Sequence, residues 1–201
     1  MRATRQPGTR AAGAAPRVYL HKRHLTVTEE IAVPRARPTL TRDVLEVDWP
    51  FFGELCRALA LHVARRYDPE VVVGIAKAGV IPAAIVATIL QREFVAIGIS
   101  RPGEGDAPEL VSAPPASLRG KRVLLVDETC DTGDTLKLAL NEVQQMSPAS
   151  VRTAVSFITG AWRPDFHAFE TEKAIVLPWD REVVENGELV MRPDLRGWVG
   201  G

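Results

Sequence analysis

The chain has 201 residues, of which 46% are hydrophobic and 25% are charged, and its formal net charge is zero. A chain of this length and composition can bury the core of one globular domain, while its balanced charge argues against a dedicated nucleic-acid binder, which usually has a basic face. No run approaches the ~18 apolar residues of a membrane span, and the two cysteines lack the spacing of a zinc site or a disulfide framework, so we expect reduced thiols in a cytoplasmic protein.

The N-terminal segment, residues 1–17, is rich in arginine, contains no acidic residue and lacks the apolar stretch of a signal peptide. Its composition predicts a disordered, solvated tail, with a weak anion-binding arm as the alternative. Residues 18–47 mix short apolar pieces with prolines. We interpret them as a small, partly extended subdomain, which makes residues 18–201 one domain.

The first helix is predicted to begin after Asp48, a typical N-cap residue, with Pro50 in the first turn, where its missing N–H costs little. Apolar residues recur at helical spacing from Phe51 to Val63. The helix is expected to end before the pair Asp68-Pro69, because proline disfavours a helical conformation in the residue before it.

Short β-branched runs then alternate with helical patterns, which is typical of a mostly parallel, twisted sheet with helices on both faces. The predicted strands are 70–75, 94–100, 121–126, 151–158 and 174–177, and the predicted helices are 80–92 and 135–146. The proline-rich connection 101–118 is long enough to be functional or mobile. Ligands bind beyond the carboxyl ends of such strands, so the loops IAKAG and VDETCDTGDT should face one cleft.

The loop VDETCDTGDT crowds acids and hydroxyls where a buried strand ends. The carboxylates of Asp127 and Glu128 suit hydroxyl donors or a hydrated divalent cation, and residues 131–135 offer N–H groups at a helix N-terminus, a natural anion site. Both halves together describe a sugar phosphate as the ligand. Three other interpretations of this loop exist. A Walker B strand needs a GxxxxGK[ST] loop and a dinucleotide-binding fold needs GxGxxG, and the chain has neither motif. The third is an N-capped surface helix with solvated acids.

The stretch VLLVDETCDTGDTL, residues 123–136, resembles the phosphoribosyl pyrophosphate signature of type I phosphoribosyltransferases. VVVGIAKAGVIPA, residues 71–83, resembles the pyrophosphate-binding loop of that family, which in many members contains a non-proline cis peptide bond, here between Ala76 and Lys77. RPDFHAFETEKAIVLPWD, residues 163–180, resembles the base-binding end of the hypoxanthine–guanine–xanthine branch. The resemblance spans about residues 48–180 and implies a small hood subdomain, formed by 18–47 and the C-terminal part.

The resemblance also implies roles for the residues that match the phosphoribose half of the site. Asp127 and Glu128 would hold the ribose hydroxyls, directly or through Mg²⁺, and Asp180 would help to place that ion. The 5′-phosphate would lie against Thr132, Gly133, Asp134 and Thr135. The pyrophosphate would lie against Ala76, Lys77, Ala78 and Gly79. Ser100 and Arg101 would anchor residues 101–118 as a flexible catalytic lid.

On the base side, Asp131 would accept a proton as the new bond forms, and Arg163 with the backbone around Ile175 and Val176 would meet the base. Three departures from the family pattern leave the base open. Ala174 stands where the stacking aromatic falls, arginine replaces lysine at 163, and Asp134 brings a negative charge into the phosphate loop. Trp162, Phe166 or Trp179 could supply the missing ring.

The function implied by the resemblance is transfer of phosphoribose from 5-phosphoribosyl 1-pyrophosphate (PRPP) to a purine or a modified purine, such as a deazapurine. The products are a nucleoside 5′-monophosphate and pyrophosphate. Family members usually form homodimers or homotetramers, and no nucleic-acid or membrane partner is expected. The alternatives are a nucleotide-sensing regulator and a nucleotide hydrolase on the same fold.

Overall fold

The structure, a computed structural model, describes residues 44–102 and 106–195. The predicted tail at 1–17, the predicted hood residues 18–43 and three residues of the predicted lid, 103–105, lie outside the described ranges. None of the helices within those ranges has the length and apolar character needed to cross a membrane.

Strands and helices alternate through most of the described chain. The strands are β1 (Val44–Glu46), β2 (Val71–Ala76), β3 (Glu93–Ser100), β4 (Glu109–Ser112), β5 (Arg122–Cys130), β6 (Ser150–Ile158), β7 (Phe166–Glu170), β8 (Ala174–Val176), β9 (Glu182–Glu185) and β10 (Glu188–Met191). The helices are α1 (Trp49–Ala64), α2 (Val80–Leu90) and α3 (Asp134–Gln145), with short 3-10 turns at Ala116–Leu118 and Pro193–Leu195.

A six-stranded sheet in the order β4-β3-β2-β5-β6-β7 forms the centre of the fold. Its neighbours pair in parallel except β3 and β4, which are antiparallel. Alternate residues of β2 point to opposite faces: Val73 packs in a buried cluster with Leu136 of α3, and Val72 packs in another with Leu59 of α1. The predicted α/β fold, mostly parallel with helices on both faces, is confirmed.

Helix α1 begins as the sequence predicts. Asp48 Oδ1 accepts a hydrogen bond from the backbone N–H of Phe51 at 2.8 Å, and Pro50 lies in the first turn. The predicted apolar face is buried, with Leu55 and Val63 fully inaccessible to solvent. Burial of each such side chain contributes about 1.5–3 kcal/mol, so this face fixes α1 against the sheet.

The prediction that residues 174–177 form the fifth strand of the central sheet is wrong. The strand there, β8, pairs in parallel with β1 in a separate two-stranded sheet, where Val176 packs with Val44. The place beside β6 belongs to β7, which the sequence analysis did not predict. As an edge strand β7 contains His167 and Glu170 rather than a continuous β-branched run, so it gives a weaker signal.

Two further strand pairs were not predicted. The connection 101–118 contains β4, which extends the sheet beside β3, and it ends in the 3-10 turn whose Leu118 is fully buried. Strands β9 and β10 form a hairpin around Asn186 and Gly187, which have left-handed φ angles of 51° and 84°. Such Asn-Gly turns match the twist of the flanking strands.

Candidate active site

A cleft with a volume of about 580 Å³ lies where β2, β3 and β5 end at one edge of the sheet. The predicted site residues that line it are Ala76, Lys77, Ala78, Ser100, Arg101, Asp127, Glu128, Asp131, Thr132, Gly133, Asp134 and Thr135. Parallel strands bring their carboxyl ends to the same edge, so segments distant in sequence meet there. The expectation that the two loops face one cleft is confirmed.

The turn after β2 lies directly against the acidic end of β5. The peptide bond between Ala76 and Lys77 is cis, as the family resemblance implied. A β-carbon on Gly79 would lie 2.5 Å from Asp127 Oδ1 and 2.9 Å from its Cα, so only glycine fits there. Gly79 thus serves the site by allowing this close approach.

The adjacent carboxylates of Asp127 and Glu128 form the acidic wall of the cleft. Asp127 is only 6% exposed, and its Oδ1 accepts a hydrogen bond from the backbone N–H of Glu128 at 3.0 Å. Burial and the neighbouring Glu128 carboxyl raise the pKa of Asp127 well above its usual range. A ligand that brings hydroxyl donors or a cation would relieve this unfavourable crowding of acids.

These carboxylates can hold a divalent cation only together with other ligands. In ranges 44–102 and 106–195, no three or more His, Cys, Asp or Glu side chains are grouped so that they could hold a metal ion. Mg²⁺ does not need such a group of protein ligands, because it is usually bound by one or two carboxylates together with substrate phosphates and water. Asp180, the third predicted ligand, does not line the cleft, and it pairs with Arg192 at 3.7 Å.

The start of α3 forms the side of the cleft where the sequence predicts anion binding. Gly133 has a left-handed φ of 79°, and a β-carbon there would lie 2.5 Å from the Trp162 ring, so glycine is required on both counts. The side chain of Asp134 accepts hydrogen bonds from Thr132 Oγ1 at 2.7 Å and Lys137 Nζ at 3.1 Å. Those two hydrogen bonds lower the pKa of Asp134.

Arg101 connects the first residues of the predicted lid to the start of α3. Its Nη2 donates to Thr135 Oγ1 at 3.3 Å, and its Nη1 donates to the backbone oxygen of Asp106 at 3.1 Å. The guanidinium therefore contacts both Asp106 and the first turn of α3. This places one fixed positive charge beside the loop that leads into α3.

The residues predicted to meet the base are not all brought to the cleft. Arg163, Ile175 and Val176 are absent from its lining, and the last two lie in β8 opposite β1. Arg163 donates to the backbone oxygen of Gly160 and to Glu170 Oε1, both at 2.7 Å. A β-carbon on Gly160 would collide with Asp131 Oδ1, so the loop that carries Arg163 touches the predicted proton acceptor.

The three aromatic candidates occupy different places. Trp162 packs over Gly133, Phe166 is buried with its ring 5.6 Å from that of His62, and Trp179 packs 4.9 Å from Phe52. Trp162 is thus the candidate that the structure places against the loop lining the cleft.

Sequence reasoning missed several residues of the site. Thr129 and Cys130 line the cleft. Burial and the nearby carboxylates of Asp127 and Asp131 raise the pKa of the Cys130 thiol to about 11, which disfavours the nucleophilic thiolate at neutral pH. Lys137 does not line the cleft, but it donates to Asp134, and its i,i+3 spacing from Asp134 on a helix was a usable signal for that pair.

Comparison with known proteins places the chain in a family. Residues 47–186 match the sequence profile described as phosphoribosyl transferase domain. The xanthine-guanine phosphoribosyltransferase of Nitratidesulfovibrio vulgaris is 29% identical over 159 residues, which cover 76% of this chain and 94% of that protein.

Solved structures agree. The purine phosphoribosyltransferase from Pyrococcus horikoshii is 31% identical with a TM-score of 0.65, covering 73% of this chain and 100% of that one. The Helicobacter pylori xanthine-guanine-hypoxanthine phosphoribosyltransferase shares the fold, with a TM-score of 0.61 at 18% identity, over 68% of this chain and 93% of that one. The resemblance to type I phosphoribosyltransferases of the hypoxanthine–guanine–xanthine branch is thereby confirmed, and the chain belongs to the phosphoribosyl transferase domain family.

Proposed function

We propose that the protein transfers phosphoribose from PRPP to a purine base, releasing pyrophosphate and forming a nucleoside 5′-monophosphate. One observation carries the proposal: the turn after β2, the acid pair at the end of β5 and the start of α3 line the same cleft. These are an amide-rich turn, two carboxylates and a helix N-terminus, and they suit a diphosphate, a diol and a phosphate respectively.

The phosphoribose half of the reaction follows from these contacts. The carboxylates of Asp127 and Glu128 would accept hydrogen bonds from the ribose hydroxyls, and the N–H groups at the start of α3 would bind the 5′-phosphate. Lys77 is exposed at the cleft and would bind the pyrophosphate. Holding the sugar at both ends fixes the anomeric carbon for attack by the base.

The acid pair and the pyrophosphate together suit Mg²⁺. When bound, this ion would neutralise the charge of the leaving pyrophosphate and orient it. Asp127 and Glu128 are the described carboxylates that would hold it, with the substrate's oxygens completing its coordination.

Asp131 would be the catalytic residue on the base side. It is exposed in the cleft, beside the loop that carries Arg163, and would accept the proton that leaves the base as the new bond forms. The relatives named for xanthine, guanine and other purines support a purine as substrate. Because arginine is a planar fork that suits paired acceptors, a modified purine such as a deazapurine belongs among the candidates.

The segment 101–118 would act as the lid. Its strand β4 is exposed along its whole length, and Arg101 joins its start to α3. Closure over the cleft would exclude water, which competes with the base for the sugar cation.

Pyrophosphate release in the presence of PRPP and Mg²⁺ tests the proposal, with hypoxanthine, guanine, xanthine, adenine, a 7-deazapurine and uracil as separate bases. We expect release that depends on a purine and on Mg²⁺. No release with any base would overturn the enzyme assignment, and preference for uracil would overturn the purine. Release of a base from a nucleotide by water alone would indicate a hydrolase, and salt-sensitive RNA binding without turnover would indicate a regulator.

A further inference from the structure

Two donors at the start of α3 are occupied by an acidic residue of the same loop. Thr132 Oγ1 donates to Asp134 Oδ2 at 2.7 Å, and Lys137 Nζ donates to Asp134 Oδ1 at 3.1 Å and to the backbone oxygen of Thr132 at 3.0 Å. The carboxylate of Asp134 therefore spans a hydroxyl and an ammonium group. A phosphate group accepts hydrogen bonds from the same kinds of donor, hydroxyl and ammonium groups.

The position of Asp134 makes this pairing matter. It is the first residue of α3, at the end of the helix where free N–H groups and the dipole favour anions. Asp134, Thr132 and Thr135 all line the cleft. Hydrogen bonds from Thr132 and Lys137 keep the pKa of Asp134 below its usual range, so a negative charge stands where the proposed ligand brings its own phosphate.

We infer that Asp134 is an affinity-determining residue whose carboxylate competes with the ligand's 5′-phosphate for Thr132 and Lys137. The inference rests on the proposed function, because the competing anion is the phosphate of a phosphoribosyl ligand. Binding of the phosphate releases both donors from Asp134, and Lys137 then becomes a phosphate-binding residue. Repulsion between the carboxylate and the phosphate lowers the affinity of the loop for its ligand.

Calorimetry with ribose 5-phosphate tests the inference, because this probe carries the 5′-phosphate without the diphosphate. The Asp134→Asn variant keeps the shape of the side chain and removes its charge. We expect it to bind ribose 5-phosphate about three- to tenfold more tightly than the unmodified protein, with the gain shrinking at high salt. Asp134→Ser should change affinity in the same direction. The control is Glu142→Gln on the same helix, which makes the same change of charge and should leave affinity unaltered.

Steady-state kinetics separate competition from a structural role. With Asp134→Asn, the KM for PRPP should fall in the same proportion, so that kcat/KM for PRPP rises. Lys137→Gln in the Asp134→Asn background should weaken binding of ribose 5-phosphate. Its failure to do so would overturn the role of Lys137, since no carboxylate then remains for the lysine to neutralise.

The outcomes distinguish this inference from the proposed function. If the unmodified protein binds ribose 5-phosphate but Asp134→Asn binds it equally or more weakly, the carboxylate organises the loop and the inference is overturned while the function stands. If the unmodified protein binds neither ribose 5-phosphate nor PRPP with Mg²⁺, both are overturned.

Discussion

Gly79 and Asp127 approach each other so closely that a β-carbon on Gly79 would lie 2.5 Å from a carboxylate oxygen of Asp127. One residue belongs to the turn after β2, and the other lies near the end of β5. The two segments can therefore make contact only because Gly79 has no side chain. The pyrophosphate and ribose sides of the proposed site are joined at this point.

The first prediction concerns that contact. Gly79→Ala should displace Asp127 or the turn, costing about 1–3 kcal/mol of stability as overpacking does, and it should raise the KM for PRPP. Gly53→Ala is the control, because a β-carbon at Gly53 of α1 meets nothing within 4 Å. It should stabilise the protein by about 0.5–1 kcal/mol, the usual gain for alanine over glycine inside a helix. Chemical denaturation and PRPP kinetics measure both effects, and unchanged kinetics in Gly79→Ala would show that the close approach has no role in binding.

The second prediction concerns the acid pair. Asp127→Asn and Glu128→Gln each remove an acceptor for a ribose hydroxyl, and the loss of a charged hydrogen bond should weaken PRPP binding about 10- to 100-fold. The stability of Asp127→Asn should be equal or higher, because Asp127 is buried beside another carboxyl. Calorimetry with PRPP and Mg²⁺, together with thermal unfolding, gives both values. A variant that loses binding only because it unfolds would contradict the expectation.

Much of the site could be predicted from local sequence, because its chemistry lies in two continuous loops at strand ends. The acid pair, the Asp-Thr-Gly-Asp-Thr turn and the N-cap at Asp48 are all local patterns, and the structure places them as expected. Periodicity likewise located α1, which buries one apolar face, whereas α2 was predicted as an apolar helix with Pro82 in its first turn.

Pairing between distant segments could not be predicted in the same way. Strand β8 pairs with β1, with Val44 opposite Ala174. Each strand has only three residues, which is too short for a sequence pattern that predicts the pairing partner. The edge strand β7 is recognisable only from its position beside β6. The hairpin at Asn186 and Gly187 could have been predicted, because this dipeptide lies between Val183-Val184 and Leu189-Val190, and Asn-Gly between apolar runs is a strong hairpin signal.

The third prediction separates the base half of the site from the phosphoribose half. Arg163 is held by Gly160 and Glu170 beside Asp131, so Arg163→Ala should raise the KM for the base about tenfold without changing affinity for ribose 5-phosphate. The control is Arg57→Ala, which breaks an exposed ion pair with Glu54 on α1 and should alter neither value. An equal loss of ribose 5-phosphate affinity would show that Arg163 supports the phosphate loop instead.

The fourth prediction concerns an acid outside the cleft that joins β6 to the start of β7. Asp165 Oδ2 accepts hydrogen bonds from the N–H of Thr153 at 2.8 Å and from its hydroxyl at 3.0 Å, and Oδ1 accepts one from Arg152 at 2.7 Å. Burial opposes ionisation of Asp165, but these hydrogen bonds outweigh it and lower its pKa. In Asp165→Asn, an amide N–H would face the donors of Thr153 or Arg152. We therefore expect the free energy of unfolding to fall by about 1–3 kcal/mol at pH 7.

The pH dependence of that loss has a definite sign. Because the pKa of Asp165 is lower in the folded than in the unfolded chain, its stabilisation is present above the unfolded value of about 3.9 and disappears as the pH falls through the folded value. The stability difference between the unmodified protein and Asp165→Asn should therefore shrink below about pH 4, which urea unfolding at pH 7 and pH 3 measures. Asp68→Asn is the matched control, since Asp68 makes only exposed ion pairs with Arg92 and Arg122 through its carboxylate, and it should cost less than about 1 kcal/mol at either pH. Equal costs for the two variants would mean that the Thr153 hydrogen bonds contribute nothing beyond a surface ion pair.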